Sequence, residues 1–234
     1  MNGIKGVVSK EPGELRRAIA AAGGWTTGPG FALAGPTVHH LPGRLVVALT
    51  GRVRWAEGDI EAIGRDQGQG RALAEAYLRY GSDCLAALRG QFACCIVDER
   101  EGTTHLALDR LGQHSLYFTI VGGTLFFAQS LDALARLAGR RFQVDPQGLF
   151  HYVYFHMIPS PGSVFKEVSK LVGGQVLTYA DGWAGVARYW QPRFSEANTS
   201  MKNLKEELLD VIEGSVGRYS GVANTGAFLS GGLD

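Results

Sequence analysis

Apolar residues recur along this chain with two rhythms, and the switches between them mark out its elements. Ile4, Val7 and Val8 belong to a short first strand over residues 3–8. Leu15, Ile19 and Ala22 share one face of a helix over 12–22, which Gly23 and Gly24 end. Residues 26–30, Thr-Thr-Gly-Pro-Gly, read as a turn-forming loop. Strands are expected over 31–33 and 44–49, with 51–55 extending the second. Asp59 is placed to cap a short helix that ends in a glycine-rich break at Gly68 and Gly70. Residues 71–80 form a helix with Leu73, Ala74, Tyr77 and Leu78 facing inwards.

The densest β region follows. Residues 92–97 are uniformly apolar, the mark of a strand buried on both faces. Residues 104–108 run back beside it across the Glu101-Gly102 turn, and 116–121 with 124–128 make a hairpin around Gly122-Gly123. A helix covers 131–137. Asp145 caps another, with Pro146 at its first position, that runs to Phe155. Pro159, Pro161 and Gly162 break the chain ahead of a hairpin of 176–179 with 185–189 around Asp181-Gly182. Residues 191–200 read as a polar linker. Leu204, Leu208, Val211, Ile212 and Val216 recur at helical spacing over 201–218 and lead to a last apolar strand. The pattern predicts an α+β domain over residues 1–190, a linker over 191–200, and the start of an α/β helix–strand–loop unit over 201–234.

Composition narrows the function. With 45% hydrophobic and 19% charged residues and a net charge of +1, the chain has the profile of an ordinary globular protein, with no charge excess to attract nucleic acid or an anionic membrane. No apolar run is long enough to span a bilayer, and the mixed, charged residues 1–22 do not resemble a signal peptide. The three cysteines, Cys84, Cys94 and Cys95, are odd in number and two are adjacent. This speaks against a disulfide framework and for a reducing compartment, the cytoplasm. No Cys or His spacing suggests zinc.

The stretch richest in candidate chemistry is the last. Ala227, Phe228 and Leu229 run into Ser230-Gly231-Gly232-Leu233-Asp234, an apolar strand delivering a glycine-rich turn. Glycines let backbone N–H groups approach an anion closely, and a helix that normally follows adds partial positive charge; here the chain stops before such a helix. Alone, the five residues fit a phosphate cradle and a glycine-rich terminus equally well. The upstream motifs decide between them.

Residues 88–98, Leu-Arg-Gly-Gln-Phe-Ala-Cys-Cys-Ile-Val-Asp, resemble the Leu-x-Gly-x-Phe-Ala-x-x-Ile-x-Asp strand of glutamine-dependent asparagine synthetases. Residues 109–118 resemble their Asp-Arg-x-Gly-x-x-Pro-Leu-Tyr-Tyr turn, 158–165 and 170–174 their proline-rich interdomain segment, Tyr189-Trp190 their Tyr-Trp, and 226–234 their pyrophosphate loop. The resemblance implies two active sites. One is an N-terminal-nucleophile (Ntn) domain, an αββα sandwich of two antiparallel sheets that hydrolyses glutamine. The other is an ATP-pyrophosphatase domain that adenylates a carboxylate with ATP and Mg²⁺. On this resemblance Leu229, Ser230, Gly231, Gly232 and Asp234 begin the ATP and pyrophosphate site. No metal ligand is assigned.

The first site departs from the family pattern. Met1-Asn2-Gly3-Ile4-Lys5-Gly6 matches the family's Met-Cys-Gly-Ile-x-Gly, with Asn2 at the nucleophile position. A carboxamide cannot replace a thiolate that attacks an amide. Thr26-Thr27-Gly28-Pro29-Gly30 stands where the family has His-Arg-Gly-Pro-Asp, and no arginine lies between Phe31 and Pro42 to hold a glutamine carboxylate. Thr50, Gly51 and Arg52 replace Asn-Gly-Glu, which reverses the charge beside the substrate's ammonium. Gln69 is nearest to an expected Asp, with Asp66 available only if the register slips. In these respects the chain is similar to the Cys-less β-lactam synthetases, carbapenam synthetases and lasso-peptide cyclases.

The resemblance implies the N-terminal part of an ATP-dependent amide-forming enzyme with an inactive glutaminase domain. Its partner would be a small-molecule or peptide carboxylate, with no nucleic acid or membrane, and the chain alone would not catalyse the reaction. Two other readings stand beside it: a non-catalytic Ntn-fold module for homodimerisation or docking, and an asparagine synthetase fed by free ammonia.

Overall fold

A computed structural model describes residues 3–20, 23–196, 199–220, 226–228 and 231, without the side chain of Tyr219. The chain divides into two units, Met1–Gln191 and Pro192–Asp234. In the first unit the strands are β1 (Lys5–Val8), β2 (Thr26–Gly28), β3 (Phe31–Ala34), β4 (Thr37–Leu41), β5 (Leu45–Trp55), β6 (Leu88–Asp98), β7 (Thr103–Leu108), β8 (Tyr117–Val121), β9 (Thr124–Ala128), β10 (Ser169–Lys170), β11 (Gln175–Ala180) and β12 (Trp183–Arg188). They form two six-stranded sheets, β10-β8-β9-β1-β3-β2 and β12-β11-β7-β6-β5-β4. Every pairing is antiparallel. The helices are α1 (Pro12–Ala20), α2 (Gly58–Gln67), α3 (Gln69–Tyr80), α4 (Cys84–Ala87), α5 (Leu131–Ala138) and α6 (Pro146–Phe155).

The period of two explains the layering, because alternate residues of each strand face opposite sides of their sheet. Ile4, just before β1, and Phe31, Leu33 and Phe127 of the first sheet meet Val46, Ala48, Ala93, Cys95, Leu106 and Leu177 of the second in one apolar cluster. The opposite faces are covered by helices. Val47, Leu49, Phe92, Cys94 and Ile96 pack on Ile60, Leu73 and Tyr77 of α2 and α3. Val7, Ala32 and Phe126 pack on Ala18 of α1 and Leu134 and Leu137 of α5. The result is an αββα sandwich. Phe31, Phe92, Phe126 and Phe127 are fully buried, each worth about 1.5–3 kcal/mol of transfer free energy.

The structure corrects several local expectations. Residues 26–28 form strand β2 on β3, with Thr26 opposite Leu33, and the turn follows at Gly30 with φ of 79°. Strand β4 was not expected. His39 and His40 interrupt its apolar run, and it is made a strand by pairing with β5 from Leu41↔Leu45 to Thr37↔Leu49. Asp59 is no cap: α2 starts at Gly58, so Asp59 lies in its first turn and pairs with Arg79. There it faces the positive end of the helix dipole.

In the second unit, α7 (Met201–Ser220) has its apolar stripe exposed, with Leu208 at 59% and Ile212 at 50%. Gly226, Ala227 and Phe228 carry no strand. A strand needs a neighbour to take its backbone hydrogen bonds, and among the described residues of this unit there is none. Leu229, Ser230, Gly232 and Asp234 lie outside the described residues, as does Asn2.

Candidate functional site

The turn after β7 is the local structure on which the site depends. Asp109 is fully buried, and its carboxylate accepts the backbone N–H of Leu111 at 3.0 Å, of Gln113 at 3.0 Å and of Phe92 at 3.4 Å. Three converging donors fix the turn. Other motif residues brace it. A Cβ on Gly173 would stand 2.6 Å from the nitrogen of Gly112, so only a glycine lets the two backbones meet. The carbonyl of Gly174 accepts the N–H groups of Tyr189 and Trp190 at 2.9 and 3.2 Å. Most of the family-like motifs thus serve one purpose here, which is to hold residues 109–116 rigid.

That turn carries His114 to the head of β1. There Gln129, just beyond β9, accepts the N–H of Ile4 on Oε1 at 2.8 Å, and its Nε2 lies 3.3 Å from Nδ1 of His114. The backbone N–H of Ile4 can only donate, so Oε1 is the acceptor and Nε2 the donor. His114 therefore accepts on Nδ1, and in its neutral form carries its proton on Nε2. Nε2 is buried and has no partner. It points at Gly51 of β5, where a Cβ would stand 2.9 Å from it and 2.1 Å from the carbonyl oxygen of Gln91. The series Ile4–Gln129–His114–Gly51 links the two sheets at one end of the sandwich.

A cleft of about 300 Å³ opens beside it, lined by Gly3, Ile4, Lys5, Gln129, Ser130 and Arg136 among others. Ser130 caps α5 by accepting the N–H of Ala133 at 3.2 Å. Gly3 and Ile4, the next residues in sequence after Asn2, line this cleft, and Asn2 itself lies outside the described residues. None of the residues lining it carries a thiol. Cys84, Cys94 and Cys95 are buried and free. Burial pushes the thiol of Cys84 up to about 12 and that of Cys95 well above its ordinary value. Neither forms a nucleophilic thiolate near neutral pH.

The remaining residues singled out from the sequence separate. Thr50 is half-buried, and Gly51 and Arg52 are exposed on the same stretch of β5. Gly51 has φ of 106°, a conformation that favours glycine. Gln69 is committed elsewhere: its Oε1 accepts the indole N–H of Trp55 at 3.0 Å, and its side chain lies against Gly64. Trp55 is four residues beyond Gly51, on the order of 13 Å along a strand. Of the loop at 229–234, only Gly231 is described, with φ of 72° and open space where a Cβ would be. Among the described residues no group of His, Cys, Asp or Glu is arranged to hold a metal ion, and no helix is long and apolar enough to cross a membrane.

His114 and Gln129 escape a reading of the sequence. They are 15 residues apart and meet through tertiary structure alone. The only local signal is the Asp-Arg-Leu-Gly turn that carries His114.

Comparison with known proteins places these observations. A family model described as a glutamine amidotransferase domain matches residues 64–190. Proteins of Mycobacterium bovis and Mycobacterium tuberculosis, each named putative asparagine synthetase (glutamine-hydrolyzing), are 32% identical to the chain over 182 residues. That match covers 74% of this chain and 28% of theirs. Asparagine synthetase (glutamine-hydrolyzing) 3 of Bacillus subtilis is 27% identical over 165 residues, 69% of this chain and 27% of its own length. The chain thus spans a little over a quarter of these curated relatives. Among solved structures, the glutamine phosphoribosylpyrophosphate amidotransferase of B. subtilis, complexed with ADP and GMP, superposes with a TM-score of 0.51 at 14% identity. It covers 81% of this chain and 50% of that one, a likeness of fold.

Proposed function

Because this chain belongs to the glutamine amidotransferase domain family, as an asparagine-synthetase-like Ntn domain, we propose that it is the N-terminal part of an ATP-dependent amide-forming enzyme whose glutaminase site is inactive. One observation carries the second half of this reading: the sequence has Asn2 where the family has its cysteine nucleophile, and the described lining of the cleft at Gly3 and Ile4 offers no thiol. The side chain of Asn2 is already an amide and has no proton that an α-amino base could remove to make a nucleophile. Arg52, in place of a carboxylate, repels the ammonium of a bound glutamine. Nitrogen then reaches the product from an amine of the substrate, or from free ammonia.

In this reading the carboxylate oxygen attacks the α-phosphorus of ATP, the bond to the β-phosphate oxygen breaks, and pyrophosphate leaves with the electron pair. An amine nitrogen then displaces AMP. Leu229, Ser230, Gly231, Gly232 and Asp234 are the residues of this chain that hold the phosphates. The positive φ of Gly231, 72°, supports the assignment, because glycine adopts it without strain and lets backbone approach an anion closely. Mg²⁺ neutralises phosphate charge in such a site. The acceptor is a small-molecule or peptide carboxylate, and the protein works in the cytoplasm.

The test uses the longer protein that this reading requires. Gly231→Val should weaken Mg-ATP binding, measured by calorimetry, by at least about tenfold while leaving the Ntn domain folded. Unchanged affinity would place the nucleotide elsewhere and overturn the reading.

A second reading is a dimerisation module, and one observation favours it. From Pro146 to Ile158 the chain carries no Asp, Glu, Lys or Arg, and Phe150, Tyr152, Val153, Tyr154, Phe155 and Met157 are each more than half exposed. A charge-free apolar face can meet its own copy across a two-fold axis. Sedimentation that shows a dimer broken by Phe150→Glu with Tyr154→Glu would favour this reading, and a monomer would remove it.

A further inference from the structure

Beyond Leu49 the ladder from β4 stops, and β5 continues with β6 alone as a two-stranded ribbon. Its two faces differ. Val53 and Trp55 of β5, with Leu88 and Phe92 of β6, belong to the cluster that packs on α2 and α3. Arg52, Arg54, Arg89 and Gln91 therefore lie on the opposite face. In register, Arg52 stands across from Gln91, and Arg54 directly across from Arg89. Directly opposed like charges are unfavourable on a sheet. No ion pair to a carboxylate relieves them among the described residues, whereas Arg17, Arg65, Arg71, Arg79 and Arg136 each have one.

A fourth guanidinium joins this group. Arg110, on the buried Asp109 turn, donates to the carbonyl oxygen of Ala86 at 3.2 Å, and Arg89 donates to the same oxygen. Arg110 lies over the ring of Trp190 at 5.4 Å, and its Nε is buried with no partner. Burial, and after it the charge of Arg89, lowers its pKa. Arg110 Nε and His114 Nε2 are two of three buried side-chain polar atoms without a partner among the described residues, and both sit on this one turn. His114 Nε2 faces Gly51, next to Arg52. Unpaired cations on the β5–β6 ribbon thus adjoin the turn that carries the unpaired donors.

We propose that Arg52, Arg54, Arg89 and Arg110 form a binding site for a compact multivalent oxyanion, a ligand carrying adjacent phosphates. Cross-strand partners are about 5 Å apart and i,i+2 neighbours about 7 Å. So close a group suits several negative charges within one small ligand better than a single carboxylate. Guanidinium forks bind phosphate oxygens in pairs, which lysines do not. The site is chemically opposite to one for glutamine's ammonium, and it stands independently of the adenylation reading.

Calorimetric titration of pyrophosphate into the 234-residue chain tests this. Binding should weaken with rising salt. It should fall by at least about tenfold in Arg52→Ala/Arg54→Ala and partly recover with lysine at both positions. Both side chains are exposed and Arg54 opposes Arg89, so the thermal midpoint should not fall. Gly231→Val should leave pyrophosphate binding intact. No binding to the wild type, binding unchanged in the double alanine variant, or binding lost only with Gly231→Val would each overturn the proposal. Binding of a glutamate-rich peptide but not of pyrophosphate would do so as well.

Discussion

Nε2 of His114 lies 2.9 Å from the point where a Cβ on Gly51 would stand, and the carbonyl oxygen of Gln91 lies 2.1 Å from that same point. The first neighbour is a side chain on a braced turn, and the second is backbone of the paired strand. Neither can retreat without disturbing a sheet. Gly51 also has φ of 106°. Gly51→Ala should therefore destabilise the domain by at least about 2 kcal/mol, measured by urea unfolding. A change under about 0.5 kcal/mol, the usual range for an exposed surface site, would show that the contact relaxes freely.

The hydrogen bonds around Gln129 fix the proton of His114. With Gln129 Nε2 donating to Nδ1, the neutral imidazole carries its proton on Nε2. Imidazole ¹⁵N spectra should show that tautomer. Gln129→Glu sets a carboxylate opposite Nδ1 and should move a proton there. Gln129→Leu removes the acceptor of the Ile4 N–H and should cost about 1–3 kcal/mol. An Nδ1–H tautomer in the wild type would refute the assignment.

Little of this constellation could be read from the sequence, although the fold could. Residues 92–97 of β6 were legible because both of their faces are buried, so the apolar run is unbroken. The helix after Asp145 was legible because its cap and Pro146 sit at fixed offsets, and the Asp145 side chain does accept the N–H of Gln147 at 3.2 Å. Strand β4 was not legible, since His39 and His40 are half-buried and mask its alternation. Gln69 was singled out by its place ahead of a helix, but whether that side chain turns to the cleft or to Trp55 is decided by packing. His114 and Gln129 have no local signature, because each is defined by what lies across the sandwich.

Stability should fall on mild acidification. His105 is buried, with Nε2 at 3.2 Å from the hydroxyl of Tyr77 and Nδ1 at 3.0 Å from Oγ1 of Thr178. Burial lowers its pKa, against a smaller upward pull from Asp98. His39 is lowered too, first by burial and then by Arg71 and His40. A folded pKa below the unfolded value of about 6.5 means that the unfolded chain binds the proton more readily. The stabilisation is complete above about pH 6.5 and declines as pH falls from there towards the folded pKa. Denaturation at pH 7.5 and 5.5 should show the decline, with a shallower slope in His105→Gln. An equal slope in that variant would exclude His105 as a source.

The three thiols should be silent in the folded protein. Cys94 and Cys95 have no exposed surface and Cys84 has 1%, and burial raises all three pKa values. A thiol-reactive chromogen at pH 8 should label none before denaturation and all three after it. Rapid labelling of the native chain would mean that a cysteine is accessible and would reopen the search for a nucleophile.

The central claim is that the amidotransferase fold here no longer hydrolyses glutamine, and ammonia release tests it most directly. Purified chain incubated with glutamine should release no more ammonia than a blank without enzyme. Asn2→Cys should be equally inactive, because Arg52 still stands where a carboxylate would receive the substrate's ammonium and Gln69 still bonds Trp55. Ammonia above the blank from the unaltered chain, abolished by Asn2→Ala, would contradict the account.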